Sequence, residues 1–317
     1  MGLDFNAVKF LFWSKNLGAS FERTLTLGHQ GFYCPPSKFR RAAQNFRIPG
    51  TPDQIARCFS HAPMTSLFAD NFFEFLGAKE ITSVDRSDFE EATLLHDLNE
   101  RFPENLRGRF DFIFDGGTLE HIFNYPAALS HCLELLRVGG HFMTVTPASG
   151  QMGHGFYQFS PELFFRVFSA ENGFTLHKII LYDCAKPDAD FYEVRDPART
   201  GQRSGLTTSR AIQMIVLAQK TAEKPMFANP PQQSDYVAVW ESHKARARDK
   251  NVKEDSSAFQ RLRIKLNPYW PFWLRRLRDD WRGRWQYGRP TLKDRRYFRR
   301  LTPEEMFRER QANHTEK

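Results

Sequence analysis

The feature that most constrains this chain is a series of short apolar segments, separated by amphipathic stretches of helical length, between about residues 22 and 220. The clearest is RFDFIFDGG at 109–117, almost continuously apolar and stopped by two glycines. Such a run suits a strand covered on both faces, as in a parallel sheet between helix layers. KEITSVD up to Asp85, HFMTVTPAS with Pro147, FTLHKIILYDC and AIQMIVLAQK read the same way. ERTLTLGHQGFY opens the series as strand and turn, then meets CPPSKFRR, whose prolines cannot continue a central strand. An irregular insertion over about 32–62 is therefore expected. Helices are predicted for MTSLFADNFFEFLGA, ending at Gly77, for YPAALSHCLELLRVGG, ending at its glycines, and for SPELFFRVF. In the last, Ser160 stands as N-cap, Pro161 as first helical residue and Glu162 in the first turn. Strands alternating with helices of this length predict an α/β fold with a doubly wound, Rossmann-like, mostly parallel sheet. The last two strands are joined only by a loop, which predicts an antiparallel pair.

Charge divides the chain differently. From Lys244 to Lys317 there are 22 Lys and Arg against 10 Asp and Glu, a net of +12; the total of 45 against 37 leaves 23 against 27, or −4, before it. The expected organisation is a domain over 1–221, a Pro-rich linker over 222–243 and a basic, Trp- and Arg-rich C-terminal extension over 244–317. A basic extension on a mildly acidic domain points to a polyanionic surface. Trp270, Trp273, Trp281 and Trp285 beside arginines read first as a solvated or docked extension whose aromatics pack on the domain, next as contacts with an anionic membrane surface and third as nucleic-acid contacts. No stretch approaches the roughly 18 apolar residues of a membrane span, and the N-terminal MGLDFNAVKFLFWSKN lacks a signal-peptide pattern. The expected setting is cytoplasmic, at most peripheral to the inner face of a membrane. Cys34, Cys58, Cys132 and Cys184 form no CxxC pair and have no histidine at zinc-ligand spacing, so reduced core thiols and no metal site are expected. The oligomeric state is left open.

In an open α/β sheet, ligands bind beyond the C-terminal ends of the strands. Those ends carry Gly28, Asp85, Asp115 to Gly117, and Pro147. A carboxylate at the second strand end can accept both hydroxyls of a nucleoside ribose, and glycines let a ligand approach the backbone. An Asp or Gly after a strand is also an ordinary turn residue. In TLGHQGFYCPP the prolines keep the turn from opening directly into a helix, so helix N-terminal donors are missing there and His29 and Gln30 are the candidate replacements.

The order of these residues resembles class I S-adenosylmethionine (SAM)-dependent methyltransferases. The block FDFIFDGGTLEHIFNYPAALSHCLELLRVGGHFMTVTP is similar to their central part, with an "LEH" helix start and a strand closing in Pro, and GFYQFSPELFFRVFSAENGF is similar to the segment that follows. The likeness covers about 22–221. It implies a SAM cofactor, with Asp85 at the ribose and Asp97 with Leu98 at the adenine edge. Gly28, His29, Gln30, Gly116, Gly117 and Glu120 complete the cofactor-binding set. The first strand departs from the acidic, glycine-rich loop of these enzymes, keeping Gly28 and Gly31 without the acid. His121, His154 and Tyr157 are the candidate catalytic residues, as bases or acceptor contacts, with structural hydrogen bonding and an aromatic lid as the alternatives. A small-molecule or glycan-like methyl acceptor is the leading expectation. A catalytically silent binding module and an RNA methyltransferase gripping RNA through the tail are the others.

Overall fold

The structure is a computed structural model and describes residues 2–60, 68–201, 203–238, 240–241, 271, 273, 276–277 and 290–308. Its strands are β1 (Gly2–Leu3), β2 (Arg23–Leu27), β3 (Gly31–Phe32), β4 (Glu80–Asp85), β5 (Leu94–Leu95), β6 (Phe110–Asp115), β7 (Leu136–Ser149), β8 (Phe174–Asp183), β9 (Phe191–Val194), β10 (Ile212–Lys220) and β11 (Phe298–Leu301). The α-helices are α1 (Phe5–Asn16), α2 (Pro36–Asn45), α3 (Pro52–Arg57), α4 (Asp70–Phe75), α5 (Tyr125–Glu134), α6 (Pro161–Val167), α7 (Pro197–Thr200) and α8 (Pro303–Arg308). By contacts the chain divides into two compact units. One comprises Met1–Val194, Thr208–Pro231 and Arg299–Lys317, the other Arg195–Thr207 and Gln232–Phe298.

The first unit is built on a sheet ordered β11-β9-β8-β10-β7-β6-β2-β4-β5. Strands β5, β4, β2, β6 and β7 are mutually parallel. Their order reverses at β2, so the C-terminal ends of β2, β4 and β6 diverge around one crevice, where such sheets receive ligands. Beyond β7 the direction changes: β10 is antiparallel to both β7 and β8. The expected antiparallel pair of β8 and β10 is present, but the connection between them is more than a loop, since it carries β9 and α7. Strand β11, from within the expected extension, forms the sheet's edge, and Leu301 and Met306 lie in the core.

Two local expectations are corrected. The prolines at 35–36 do not make the insertion irregular: Pro36 starts α2 in the first turn, where a missing N–H is harmless, and Thr51 begins α3 with a capping box shared with Gln54. The helix of YPAALSHCLELLRVGG stops at Glu134 instead of its glycines, and Leu136 to Gly140 already belong to β7. Gly139, at φ +87°, supplies an irregularity within the strand, not a helix terminator. Residues 64–67 of the expected MTSLFADNFFEFLGA helix lie outside the described residues, and α4 begins at Asp70.

The helix α1 was not marked by periodicity, because apolar residues surround it. Asp4 caps it, accepting from Ala7 N at 2.7 Å, and Phe5, Ala7, Val8, Phe10, Leu11, Phe12 and Trp13 are all buried. A helix apolar on every side belongs inside a core. Its Phe12 ring lies 5.3–6.3 Å from those of Phe39, Phe46, Phe72 and Phe75. Through these contacts the insertion, α1 and α4 form one aromatic layer with Phe112 and Phe114 of β6. The buried Asn6 accepts from Ala189 N at 3.0 Å and donates to Lys186 O at 3.1 Å, tying α1 to the turn between β8 and β9.

In the second unit, Arg203 pairs with Asp235 at 2.5 Å and lies over the Tyr236 ring, which stacks on Trp240. Trp273 is exposed, whereas Trp270, Trp281 and Trp285 fall outside the described residues. No helix among the described residues is long and apolar enough to cross a membrane. Cys34, Cys58 and Cys132 are buried free thiols and Cys184 is half-buried; burial pushes Cys34 and Cys58 up to about 12, so both are inert as nucleophiles. Because Phe12 joins four rings from α2, its C-cap Phe46 and α4, Phe12→Ala is expected to destabilise the protein by about 3–5 kcal/mol in urea unfolding. A change below about 1 kcal/mol would show that the aromatic layer repacks around the gap.

Candidate functional site

The crevice floor is set by one buried carboxylate. Asp115, at the end of β6, accepts from Thr118 N at 2.8 Å and Leu119 N at 3.4 Å with Oδ1, and from Thr144 Oγ1 at 2.8 Å with Oδ2. Burial pushes its pKa up, against the pull of these donors. Thr118 in turn donates its hydroxyl to Leu27 O at 2.6 Å, joining the ends of β6 and β2. The turn after β6 is therefore held from three sides, and Gly117 takes φ +97° within it. The "LEH" tripeptide then forms a single 3₁₀ turn, Leu119–His121, and α5 starts only at Tyr125, with Pro126 in its first turn.

Thr144 and Thr146 stand two apart on β7, so both hydroxyls face the same way. Thr144 reaches Asp115, and Thr146 donates to Glu120 Oε2 at 3.3 Å. Glu120 is 1% exposed, and burial, followed by the nearby Asp115, pushes its carboxyl up to about 8. Its Oε1 has no aligned hydrogen-bond donor among the described residues, with His154 Nε2 3.3 Å away. The loop bearing His154 is pinned to the same residue: Phe156 N and Tyr157 N donate to Glu120 O at 2.9 and 3.2 Å. His121 and His154 approach with ring centroids 5.0 Å apart. Burial and then its neighbour His154 lower the pKa of His121, keeping that imidazole neutral. Tyr157 is set differently, its hydroxyl donating to Phe123 O at 2.6 Å. Phe123 and Phe156, 75% and 67% exposed, meet edge to face at the rim.

On the other side of the crevice, Gly28 at φ +76° donates to Val84 O at 2.7 Å, coupling the ends of β2 and β4. Asp85 ends β4 half-buried, with Oδ1 accepting from Arg86 N at 2.6 Å and Ser87 N at 3.4 Å and Oδ2 without a hydrogen-bond partner among the described residues. Asp97 accepts from Asn99 N and Nδ2 at 2.9 and 2.7 Å, bonds that hold its carboxyl below the usual range, with Arg86 3.7 Å away. Leu98 beside it is buried.

His29 and Gln30 have protein partners. The His29 ring stacks on Phe68 at 3.6 Å, contacts Asp70 Oδ2 through Nε2 at 2.8 Å and Glu90 O through Nδ1 at 2.6 Å. Burial draws its pKa down, but the bonds to Asp70 and Glu90 outweigh it and the net shift is upward. The buried Gln30 side chain turns inward and donates to Leu27 O, while its Oε1 faces Gly116. Sequence reasoning placed Asp115 at a strand end without giving it this bonding role and passed over Thr144 and Thr146; the alternating Thr-Val-Thr ahead of Pro147 was the available signal.

No protein-family model matches the chain, and no curated protein matches it. Among solved structures it is similar to a 1,6-didemethyltoxoflavin-N1-methyltransferase of Burkholderia thailandensis, with 14% identity over 69% of this chain and 78% of that one at a TM-score of 0.36. A possible histamine N-methyltransferase of Thermotoga maritima aligns at 13% identity over 67% and 91% at 0.35. A SAM-dependent methyltransferase of Mesorhizobium loti aligns at 12% over 66% and 97% at 0.34. Strand order, the reversal at β2 and the antiparallel β10 make this a doubly wound α/β domain with a mostly parallel sheet.

Two variants test this crevice. An added Cβ at Gly116 would run into Gln30 Oε1, so Gly116→Ala should destabilise by about 1–3 kcal/mol, with part of that recovered by Gln30→Ala in the same chain. Strictly additive effects in chemical denaturation would separate the two residues. The raised pKa of His29 means that its pairing with Asp70 stabilises the fold below the unfolded value of about 6.5 and fades as pH rises through the folded value. His29→Gln should therefore lower the melting temperature more at about pH 5.5 than at about pH 8.5. An equal loss at both would show that stacking on Phe68, not charge, is what His29 contributes.

Proposed function

We propose that this chain is a SAM-dependent methyltransferase acting on a small-molecule or glycan-like acceptor. The observation that carries the reading is the end of β4: Asp85 is half-buried at the reversal of strand order and keeps Oδ2 unengaged beside the Gly28 turn. A carboxylate so placed suits the two hydroxyls of a nucleoside ribose. Asp97 and Leu98 offer a polar and an apolar edge next to it, and the backbone at Gly28 and Gly117 gives close approach. SAM, when bound, supplies a methyl group on a sulfonium that transfers by in-line displacement.

On the acceptor side, Glu120, His121 and His154 face the rim formed by Phe123 and Phe156. A neutral imidazole offers a lone pair that takes either an acceptor proton or a metal ion. The apolar rim favours an acceptor with an aromatic or otherwise flat apolar face. The second reading, a silent binding module, draws on the first loop, where Gln30 fills the space under Gly116 and His29 is tied to Asp70.

Calorimetric titration of SAM, and of its demethylated product, into the full chain separates the two. Binding by the wild type, with Asp85→Ala weaker by about tenfold or more, is the expected result for loss of charge-assisted hydrogen bonds. Unchanged affinity in Asp85→Ala would remove that residue from the site, and no binding by the wild type leaves the module.

A further inference from the structure

We propose that Glu120, His121 and His154 form a binding site for one divalent transition-metal ion of the zinc class, open towards the rim. Each residue offers one ligand atom, and the three atoms lie within 4.8 Å of one another, the one such His, Cys, Asp or Glu group among the described residues. Two ligands at about 2.1 Å from a tetrahedral ion stand about 3.4 Å apart. Glu120 Oε1 and His154 Nε2 are 3.3 Å apart.

The second observation is the state of Glu120. A carboxylate oxygen that is buried and lacks a donor is unfavourable unless something positive faces it. Oε1 is such an atom, and it is turned towards the two imidazoles. A cation placed between this oxygen and the two imidazole nitrogens would engage all three groups.

The site is also held in shape. Thr146 Oγ1 fixes the other oxygen of Glu120, as outer-shell partners of metal ligands do. Gly155, at φ +73°, lays the His154 loop so close to the 3₁₀ turn that an added Cβ would stand 2.9 Å from Glu120 O and 3.1 Å from His121 Nδ1. Any other residue there would push His154 away. Two imidazoles and one carboxylate suit zinc, iron, cobalt or nickel, whereas magnesium takes oxygen ligands. With His154 42% exposed, the solvent side leaves room for an exchangeable ligand, the pattern of catalytic and not structural sites. The inference deepens the acceptor-side reading above: an ion here would bind an acceptor through an oxygen, a hydroxyl or enol, and favour its deprotonated form.

The test uses the full chain, stripped with a chelator and titrated with Zn²⁺ in the absence of SAM, so its outcome is independent of cofactor binding. We expect one equivalent to bind by calorimetry and Co²⁺ to develop visible absorption of a low-coordinate site. His121→Gln and His154→Gln should each weaken Zn²⁺ by about tenfold or more, and the double variant should abolish the Co²⁺ bands. Neither ring belongs to the core, so these variants are expected to melt close to the chelated wild type, whereas Glu120→Gln alters a buried group and is the less decisive variant. Zn²⁺ binding of the same strength in the double variant, no Zn²⁺ binding by the wild type, or binding of Mg²⁺ in preference to Zn²⁺ would each overturn the proposal.

Discussion

The arrangement of the crevice depends on the buried carboxylate of Asp115. It sits where β6 ends and collects two backbone N–H groups from the following turn and one hydroxyl from β7. A buried carboxylate is tolerated only with such donors, and their directions leave the chain one path out of the strand. That path carries Glu120 and His121 into a 3₁₀ turn at the crevice, and Thr118 fastens the same turn to β2.

The opposite face of the sheet is stabilised by different means. The chain carries 31 phenylalanines, and those of α1, the insertion and α4 pack as one layer against β6. The insertion brings Phe39, Ala42, Ala43, Phe46 and Cys58 to that layer, so the segment interrupting the connection from β2 to β4 contributes core instead of surface. It also changes the first loop. With residues 31–68 between the Gly28 turn and α4, Gly31 returns to bridge Phe68, and His29 and Gln30 use their side chains to hold loop, helix and strand together. The loop is stiffened from within, where a glycine-rich turn would leave bare backbone.

Two carboxylates five residues apart thereby acquire different surroundings. Asp115 has its oxygens filled by three donors, whereas Glu120 has one oxygen on Thr146 and the other facing two imidazoles. Environment sets the state of each buried acid.

What the sequence alone determined is the order of layers. Continuous apolar strands alternating with helices argue for a doubly wound sheet, and the residues at its strand ends, Gly28, Asp85 and Gly116 with Gly117, could be read directly because period and stop signals are local. The buried α1 escaped notice because its polar residues, Asn6, Lys9, Ser14, Lys15 and Asn16, are spread around the helix and mark no single polar face. The glycines of LRVGG looked like a helix end because their place in β7 depends on pairing with β6 and β10. Only the tertiary structure decided which side chains share a site. His154 lies 33 residues beyond His121, on a loop whose approach is set by two backbone bonds to Glu120 and by the absence of a side chain at Gly155. Contacts of that kind leave no periodicity in the sequence, because they arise when separate strands bring their ends to one place.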